Sequence, residues 1–490
     1  MKNTIKILLI CLTIASISSC KKFLDQQPTN QLDASTTVRT PADAQTMLNG
    51  IYRAMTNLNY YGRIFVLYGD AKGGDFVIPT GGGGRGDDAL YAFNHSATGG
   101  SYVGTWSQIY FTLLEVNTLL QNIANLEAGG TIGFDLSKGQ ALTLRAMMYF
   151  DLVRLYGLPY NDDKSSLGVP NITTPLLPSA QPLRNTVAEN YTQILSDLQA
   201  AAPLLPQTKA NGVISYYANI AEQARVYLYM NDYTNALAKA QEIINSNVYT
   251  LYAPADWVNS WKSQFGSESI FELGIYPDGD LGAASLGAYE RAKGDGGSAY
   301  LGQYLASDYF LDRLYQDPTD VRWGVMKADE DSLDANSPIH PRKGAIYKYS
   351  GSTTLSGDGK STSTAVNIKV IRLSEIYLIA AEAALQTGDA ATAATYVNAI
   401  RQRAPALAPA TAATVSINTI LDERSKELLA EGQRFFDMMR LNQSITFDDE
   451  FYVGSVSRPK TIDRTFNKIV LPISQTEINA NPGIQQNQGY

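Results

Sequence analysis

Two stretches interleave flat aromatic rings with amides and charges densely enough to hold a hydroxyl-rich ligand. Between Tyr60 and Phe93 stand Tyr60, Tyr61, Asp70, Asp75, Arg85, Asp87 and Tyr91. Between Tyr276 and Trp323 stand Tyr289, Arg291, Tyr300, Tyr304 and Trp323. A sugar ring has apolar C–H faces that stack on aromatic surface, and a rim of hydroxyls that pairs with Asn, Gln, Asp or Arg. The plainer alternative is that most of these tyrosines pack an irregular layer onto the rest of the molecule, since a loop position only hints at function.

Covalent chemistry has less to work with. The chain has 2 His and 2 Cys. His95 and His340 stand alone, with no HExxH, zinc-ribbon, Ser-His or Cys-His arrangement, so each reads as an incidental loop residue. Gly357-Asp-Gly359-Lys360-Ser361 resembles the end of a phosphate-binding loop, but Thr354 stands where the first Gly is required and no apolar strand precedes it. Asp329-Glu330-Asp331 and Asp448-Asp449-Glu450 lack the spacing of a Ca²⁺ loop and read as solvated turns. A carboxylate pair for glycoside hydrolysis depends on separation in space, and among 47 acidic residues some pair always lies close. The expectation is a non-enzymatic protein with no metal or other cofactor.

Composition bounds the class. The chain of 490 residues, 44% hydrophobic and 18% charged, can bury a large core and is neither disordered nor coiled-coil. Lys2 and Lys6 precede an apolar run from Ile7 to Ile17, too short to span a bilayer, and then Ser18 and Ser19. Residues 1–19 therefore read as a secretory signal. Ile17-Ser-Ser-Cys20 resembles a bacterial lipobox, which would make Cys20 the acylated first residue of the mature protein. Cleavage would leave 37 basic and 47 acidic residues, a net charge of −10. Such a chain is a poor candidate for nucleic acid or anionic head groups, so its hold on a membrane would come from acyl chains.

The elements that would position the two aromatic stretches are helical. Thr40 and Pro41 open a helix over 41–58, as N-cap and first helical residue. Residues 60–97 form a long glycine-rich loop, including Gly81 to Gly86, of the kind that tends to be functional. Helical periodicity returns over 105–126 and 138–156, then after a Pro-rich connection (159–182) over 186–202, 215–230 and 233–246, with a turn at Asn231-Asp232. Residues 249–370 break the period, with strand-like runs at Ser269–Leu273 and Ile368–Ile371. Two more helices follow at 372–386 and 390–403, turning at Gly388-Asp389. Small residues where paired helices approach follow the logic of tetratricopeptide hairpins, about four imperfect pairs, without a strict 34-residue period.

Residues 420–440, ILDERSKELLAEGQRFFDMMR, carry Leu421, Leu428 and Phe435 at seven-residue intervals, which predicts one amphipathic helix. Arg424 and Glu427, Glu431 and Arg434, Arg434 and Asp437, and Asp437 and Arg440 are three apart and predict salt bridges along a solvated face. Gly432 falls mid-helix, where it costs about 1 kcal/mol relative to Ala and implies close approach by another element. The run ERSKELLAEGQRFFDMMR also resembles the C-terminal signature of the SusD/RagB outer-membrane lipoproteins. Other segments fall in the same family order: SCKKFLD, the opening helix, LRAMMYFDLVRLYGLPY (144–160), SESIFEL (267–273), IRLSEIYLIAAEA (371–383) and LPISQTEINANPGIQQNQGY (471–490). Gln488 replaces the Pro of the family's closing run, which would loosen the tail.

The resemblance implies a mainly α fold, with tetratricopeptide-like hairpins in a right-handed scaffold packed against an irregular half with short strands. It implies one domain over 20–490, with a helical part over about 40–246, an irregular insert over about 247–370 and a C-terminal part over about 371–490. It also implies a surface lipoprotein, anchored in the outer membrane through Cys20, that captures oligo- or polysaccharide as the lid of a SusC-like TonB-dependent β-barrel. In the family, ligand contacts come from the two aromatic stretches above. The signature charges are expected to tie the helical half to the irregular one. A peptide-capturing lid of the RagB type remains open, and so, less readily, does a surface glycosidase.

Overall fold

Helices begin where the sequence supplies side-chain caps. In the computed structural model, which describes residues 38–79, 88–291, 301–329, 342–349 and 364–490, helix α1 spans Pro41–Met55. Thr40 caps it by accepting from the Asp43 amide at 3.2 Å, while the Asp43 carboxylate accepts from the Thr40 amide at 2.9 Å. That reciprocal box satisfies two donors the helix leaves open. Next come α2 (Ile64–Ala71), α3 (Val103–Ala128), α4 (Asp135–Tyr156), α5 (Val187–Ala201), α6 (Tyr216–Tyr229) and α7 (Tyr233–Ser246). Asn231 adopts a left-handed φ of 59° at the α6–α7 turn, and Asp232 caps α7. Residues 1–19, read above as a secretory signal, Cys20, Arg85, Tyr300, His340 and residues 357–361 lie outside the described residues.

These helices stack in sequence order, α3 on α4, α4 on α5, α5 on α6 and α6 on α7, and α7 then packs on α9 (Leu373–Gln386). Between them in the chain, α8 (Asp308–Tyr315) belongs to the irregular layer. Helix α9 turns at Gly388 into α10 (Ala390–Arg401). Buried Ala381, Ala384, Ala393 and Ala394 line that second hairpin, so the two backbones approach closely. Helix α4 is buried along most of its length and carries Arg145, Asp151 and Arg154 inward. Arg145 forks onto Asp197 of α5 with two 2.7 Å bonds, a geometry that recovers part of the cost of burying both charges.

Strands are short and come in antiparallel pairs. β1 (Phe76–Val77) pairs with β3 (Leu305–Ala306), and β2 (Ser269–Leu273) with β6 (Ile368–Arg372). β4 (Met326–Lys327) pairs with β5 (Ala345–Ile346), and β7 (Ile445–Thr446) with β8 (Thr461–Ile462). The two strand-like runs read in the sequence are thus each other's partners. β6 runs straight into α9, so one ladder fixes the irregular layer against the helical stack.

The stretch 420–440 departs from its expected form. It is two helices, α11 (Ile417–Glu427) and α12 (Arg434–Arg440), separated by a turn in which Ala430 and Gly432 take φ values of 63° and 76°. Its charges are not solvated. Glu423, Arg424, Glu427, Asp437 and Arg440 are all buried. Of the expected near-neighbour bridges the one found is Asp437–Arg440 at 2.8 Å; the other charges pair across the fold. Glu427 meets Arg372 and Arg403 at 3.0 Å, Glu431 meets Arg372 and Lys348 at 2.7 Å, and Glu423 meets Arg322 at 3.1 Å. Arg440 forks onto Glu382 of α9, and Arg424 pairs with Asp437 at 2.7 Å. The charges do join the helical stack to the irregular layer, but as an interior network that forces the helix to break. With the turn in place each of these buried charges has a partner.

The acidic run at Asp448-Asp449 also lies inward. Asp448 accepts from the Asp308 amide at 3.0 Å, and Asp449 accepts from Arg458 at 2.7 Å. Asp329 pairs with buried Arg342. His95 is buried rather than incidental, with Nδ1 3.0 Å from the Tyr490 hydroxyl, which itself donates to the Val470 carbonyl at 2.8 Å. The C-terminal tail is therefore pinned, despite Gln488. No group of His, Cys, Asp and Glu able to hold a metal occurs among the described residues.

Candidate functional site

The two aromatic stretches do meet, as buried packing. β1 pairs with β3, the Phe76 and Tyr304 rings lie 5.8 Å apart, and Arg63 donates to the Tyr289 hydroxyl at 2.8 Å with its guanidinium 4.5 Å from the ring centre. Tyr60 is wholly buried and donates to Asp151 at 2.6 Å, while Tyr61 packs on Tyr60 and Phe65 at 4.6 and 5.0 Å. Tyr91, also buried, donates to the Asp448 carbonyl and to Asp449. Burial pushes the hydroxyls of Tyr60, Tyr61 and Tyr91 above the ordinary tyrosine range.

Asp70 and Asp75 of the first stretch face the broken signature. Asp70 accepts from the Gly432 amide at 2.7 Å, and burial raises its carboxyl well above the usual range. Asp75 accepts from Ser425 at 2.6 Å and pairs with Arg313 and Arg434. Of the second stretch, Arg291 and Trp323 keep partial exposure. Arg291 lies 4.8 Å over the Tyr347 ring. Trp323 packs at a tilt against half-buried Tyr315, ring centres 4.5 Å apart, and its indole N–H donates to the Asp317 carbonyl at 3.2 Å. In this conformation Tyr60, Tyr61, Asp70, Asp75, Tyr91, Tyr289 and Tyr304 are therefore buried, while Arg85, Asp87 and Tyr300 lie outside the described residues.

An open cleft of about 740 Å³ lies at the margin of the same junction. One wall is the end of α1 and the turn after it, from Arg53 to Asn59. The other is the loop from Asp278 to Leu281, and Gln108 and Phe111 of α3 complete it. Arg53 bridges the walls, donating to an Asp278 carboxylate oxygen at 3.3 Å and to its carbonyl at 3.2 Å. The pair is exposed and so holds the walls by about 1 kcal/mol or less. Gln108 donates to the Ala54 carbonyl at 3.2 Å, which also accepts from the Asn57 amide at 3.2 Å. Asn57 accepts from the Asn59 amide at 2.9 Å, and Asp280 accepts from Thr364 at 2.6 Å and from the Gly282 amide at 2.9 Å.

Phe111 is 57% exposed at the cleft's edge. Trp106, Ile109, Leu113 and Val116 form the buried stripe of α3, and Phe111 falls out of phase with them. That phase was the available signal. An apolar ring on the polar side of an amphipathic helix stands out once the stripe is drawn, although single exposed apolar residues are common. Asn57, Asn59 and Gln108 carry no such signal, because amides are ordinary at a helix end.

The arrangement has the chemistry of binding. Amides, a guanidinium–carboxylate pair and one flat ring would meet hydroxyls and a C–H face. Asp278 is exposed beside Arg53 and Asp280 is held by two donors, whereas a catalytic acid sits in an apolar enclosure.

Stacked helical hairpins under a loop-rich layer, with an amide- and aromatic-lined cleft at their junction, define a tetratricopeptide-like binding scaffold. Comparison with known proteins places it further. Residues 319–490 match a model described as the SusD family, and residues 22–228 match one described as starch-binding, associating with outer membrane. A SusD superfamily protein of Bacteroides thetaiotaomicron is 35% identical, with a TM-score of 0.82 over 92% of this chain and 100% of that one. A putative sugar binding protein of Bacteroides vulgatus is 32% identical, with a TM-score of 0.82 over 93% of this chain and 100% of the other. SusD-like protein P2 of Formosa agariphila is 26% identical over 100% of both chains. The chain belongs to the SusD family. Among the described residues no helix is long and apolar enough to cross a membrane.

Proposed function

We propose that this protein is a cell-surface lipoprotein of the outer membrane that captures oligo- or polysaccharide and delivers it, as a lid, to a SusC-like TonB-dependent β-barrel. The reading is carried by the cleft between Arg53–Asn59 and Asp278–Leu281, whose amides and exposed Phe111 suit a glycan, in a chain of the SusD family. The putative sugar binding protein described above, alike over nearly the whole chain, supports it. Acyl chains on Cys20 would supply the anchor, with more than one chain needed for a lasting hold. Binding and release do the work, without covalent chemistry.

Native gels cast with a panel of polysaccharides test this, with products followed by chromatography. Retardation by a glycan without release of shorter sugars is the expected result. Released sugars would overturn the non-catalytic part of the reading. Co-purification of the barrel with the tagged, acylated chain from native membranes tests the lid.

One observation favours a second reading. Tyr60, Tyr61, Tyr91, Tyr289 and Tyr304 are buried, which leaves fewer flat platforms than a glycan site could use. A peptide-capturing lid of the RagB type needs fewer of them. Binding of a peptide mixture with no retardation by any polysaccharide would decide for peptide.

A further inference from the structure

The first turns of α3 and the Pro-rich connection before α5 enclose a second cleft, of about 390 Å³. That volume falls in the range of about 300–1,000 Å³ typical of small-molecule sites. Trp106, Tyr110, Phe111, Leu114, Ile172 and Leu176 line it, and Glu477, from the helix α13 (Gln475–Ala480), stands at its margin. Phe111 lines the polar cleft as well, so its ring borders both.

The walls have used up their own polar groups. The Tyr110 hydroxyl donates to the Pro170 carbonyl at 2.9 Å. Asn117 donates to the Ile172 carbonyl at 2.8 Å and accepts from Arg145 at 3.1 Å. A bare sugar laid along these walls would lose water from hydroxyls that find no partner, at a cost of about 1–3 kcal/mol for each buried group. A flat apolar ring would gain about 25 cal/mol for each Å² removed from water. The half-buried Glu477 carboxylate is the acceptor such a ring would meet, and a hydroxyl on the ring would supply the donor. Burial raises the Glu477 carboxyl and the Trp106 side chain opposes that rise.

We propose that this cleft is a second subsite, which takes an aromatic substituent bearing a hydroxyl donor, of the hydroxycinnamoyl-ester type, carried by the glycan in the adjoining polar cleft. The proposal rests on the glycan-capture reading. Phe111 then serves both parts of the ligand, stacking on the sugar from one side and on the aryl group from the other.

Calorimetry of the purified full chain with methyl ferulate tests this, with methyl 3-methoxycinnamate as the same ester without the ring hydroxyl. One saturable site per chain is expected for methyl ferulate, with methyl 3-methoxycinnamate at least tenfold weaker. Leu114→Asp should abolish the site and Glu477→Leu should weaken it at least tenfold, with urea melting curves matched to the parent. Both variants should retain the gel retardation by unsubstituted polysaccharide. No saturable binding, or binding that Leu114→Asp leaves unchanged, overturns the subsite while the capture reading stands. Saturable ferulate binding with no polysaccharide retained overturns the capture reading, and with it the subsite as part of a glycan site.

Discussion

The Gly432 amide donates to the Asp70 carboxylate at 2.7 Å, joining residues 362 apart in sequence. The contact is possible because neither backbone carries bulk there. A Cβ on Gly69 would lie 2.0 Å from the Gly432 carbonyl oxygen, and one on Gly432 would lie 2.9 Å from the Val66 Cα. The break in the signature stretch is thus where α2 docks.

Gly432→Ala should destabilise the protein by about 2 kcal/mol or more. A left-handed φ costs an L-residue about 1–2 kcal/mol, and the contact with Val66 adds to it. Urea unfolding measures this. A midpoint unchanged from the parent would mean that the break is not a fixed feature of the fold.

Glu427→Ala should cost about 3–5 kcal/mol, because it leaves Arg372 and Arg403 buried around a missing charge. Glu242→Ala, which opens the half-exposed Lys239–Glu242 bridge, should cost about 1 kcal/mol or less. The surrounding arginines and Lys348 outweigh burial and lower the Glu427 carboxyl to about 2. Its folded value lies below the unfolded one. The stability it contributes is therefore complete above the unfolded value, near 4.5, and is lost as pH falls toward about 2. Unfolding curves taken from pH 5 to pH 2 should be shallower in Glu427→Gln than in the parent.

Glu290 has the opposite sign. Its two carboxylate oxygens make no hydrogen bond among the described residues, and burial raises its carboxyl well above the ordinary value, with nearby Asp70 adding to the rise. A folded value above the unfolded one gives stability that is complete below about 4.5 and is lost as pH rises through the folded value. Glu290→Gln should therefore unfold at higher urea than the parent at pH 8, and the gain should fade toward pH 4. A loss of stability at both pH values would show that Glu290 is paired as an anion.

Tyr60→Ala should cost about 3–5 kcal/mol as a core truncation, and Tyr60→Phe about 1–3 kcal/mol for the bond lost to Asp151. Thermal melts of the two variants measure this. Unchanged melts would show that neither the packing of Tyr60 nor its bond to Asp151 supports the fold.

The helices could be read from the chain because their signals are local. Thr40-Pro41, Asn231-Asp232 and Gly388-Asp389 mark starts and turns by the chemistry of adjacent residues. The break at 428–433 could not be read this way. Leu421, Leu428 and Phe435 keep a helical spacing across it, and the interruption comes from Arg322, Lys348, Arg372 and Arg403, which arrive from elsewhere in the chain. The site suffered the same blindness. Aromatic density marked where two loops meet, but a tyrosine that packs and one that binds have the same sequence. Phe111 declared itself only by its phase on α3, and Asn57, Asn59 and Gln108 only by convergence in space.

The central claim is that glycan is held between the end of α1 and the Asp278–Leu281 loop. Isothermal titration of the retained polysaccharide into the parent, Asn57→Ala and Phe111→Ala tests it most directly. Each variant should weaken binding about tenfold while its unfolding midpoint stays at the parent's, since both side chains are exposed. Parent-like affinity in both variants would contradict the account and move the site elsewhere on the protein.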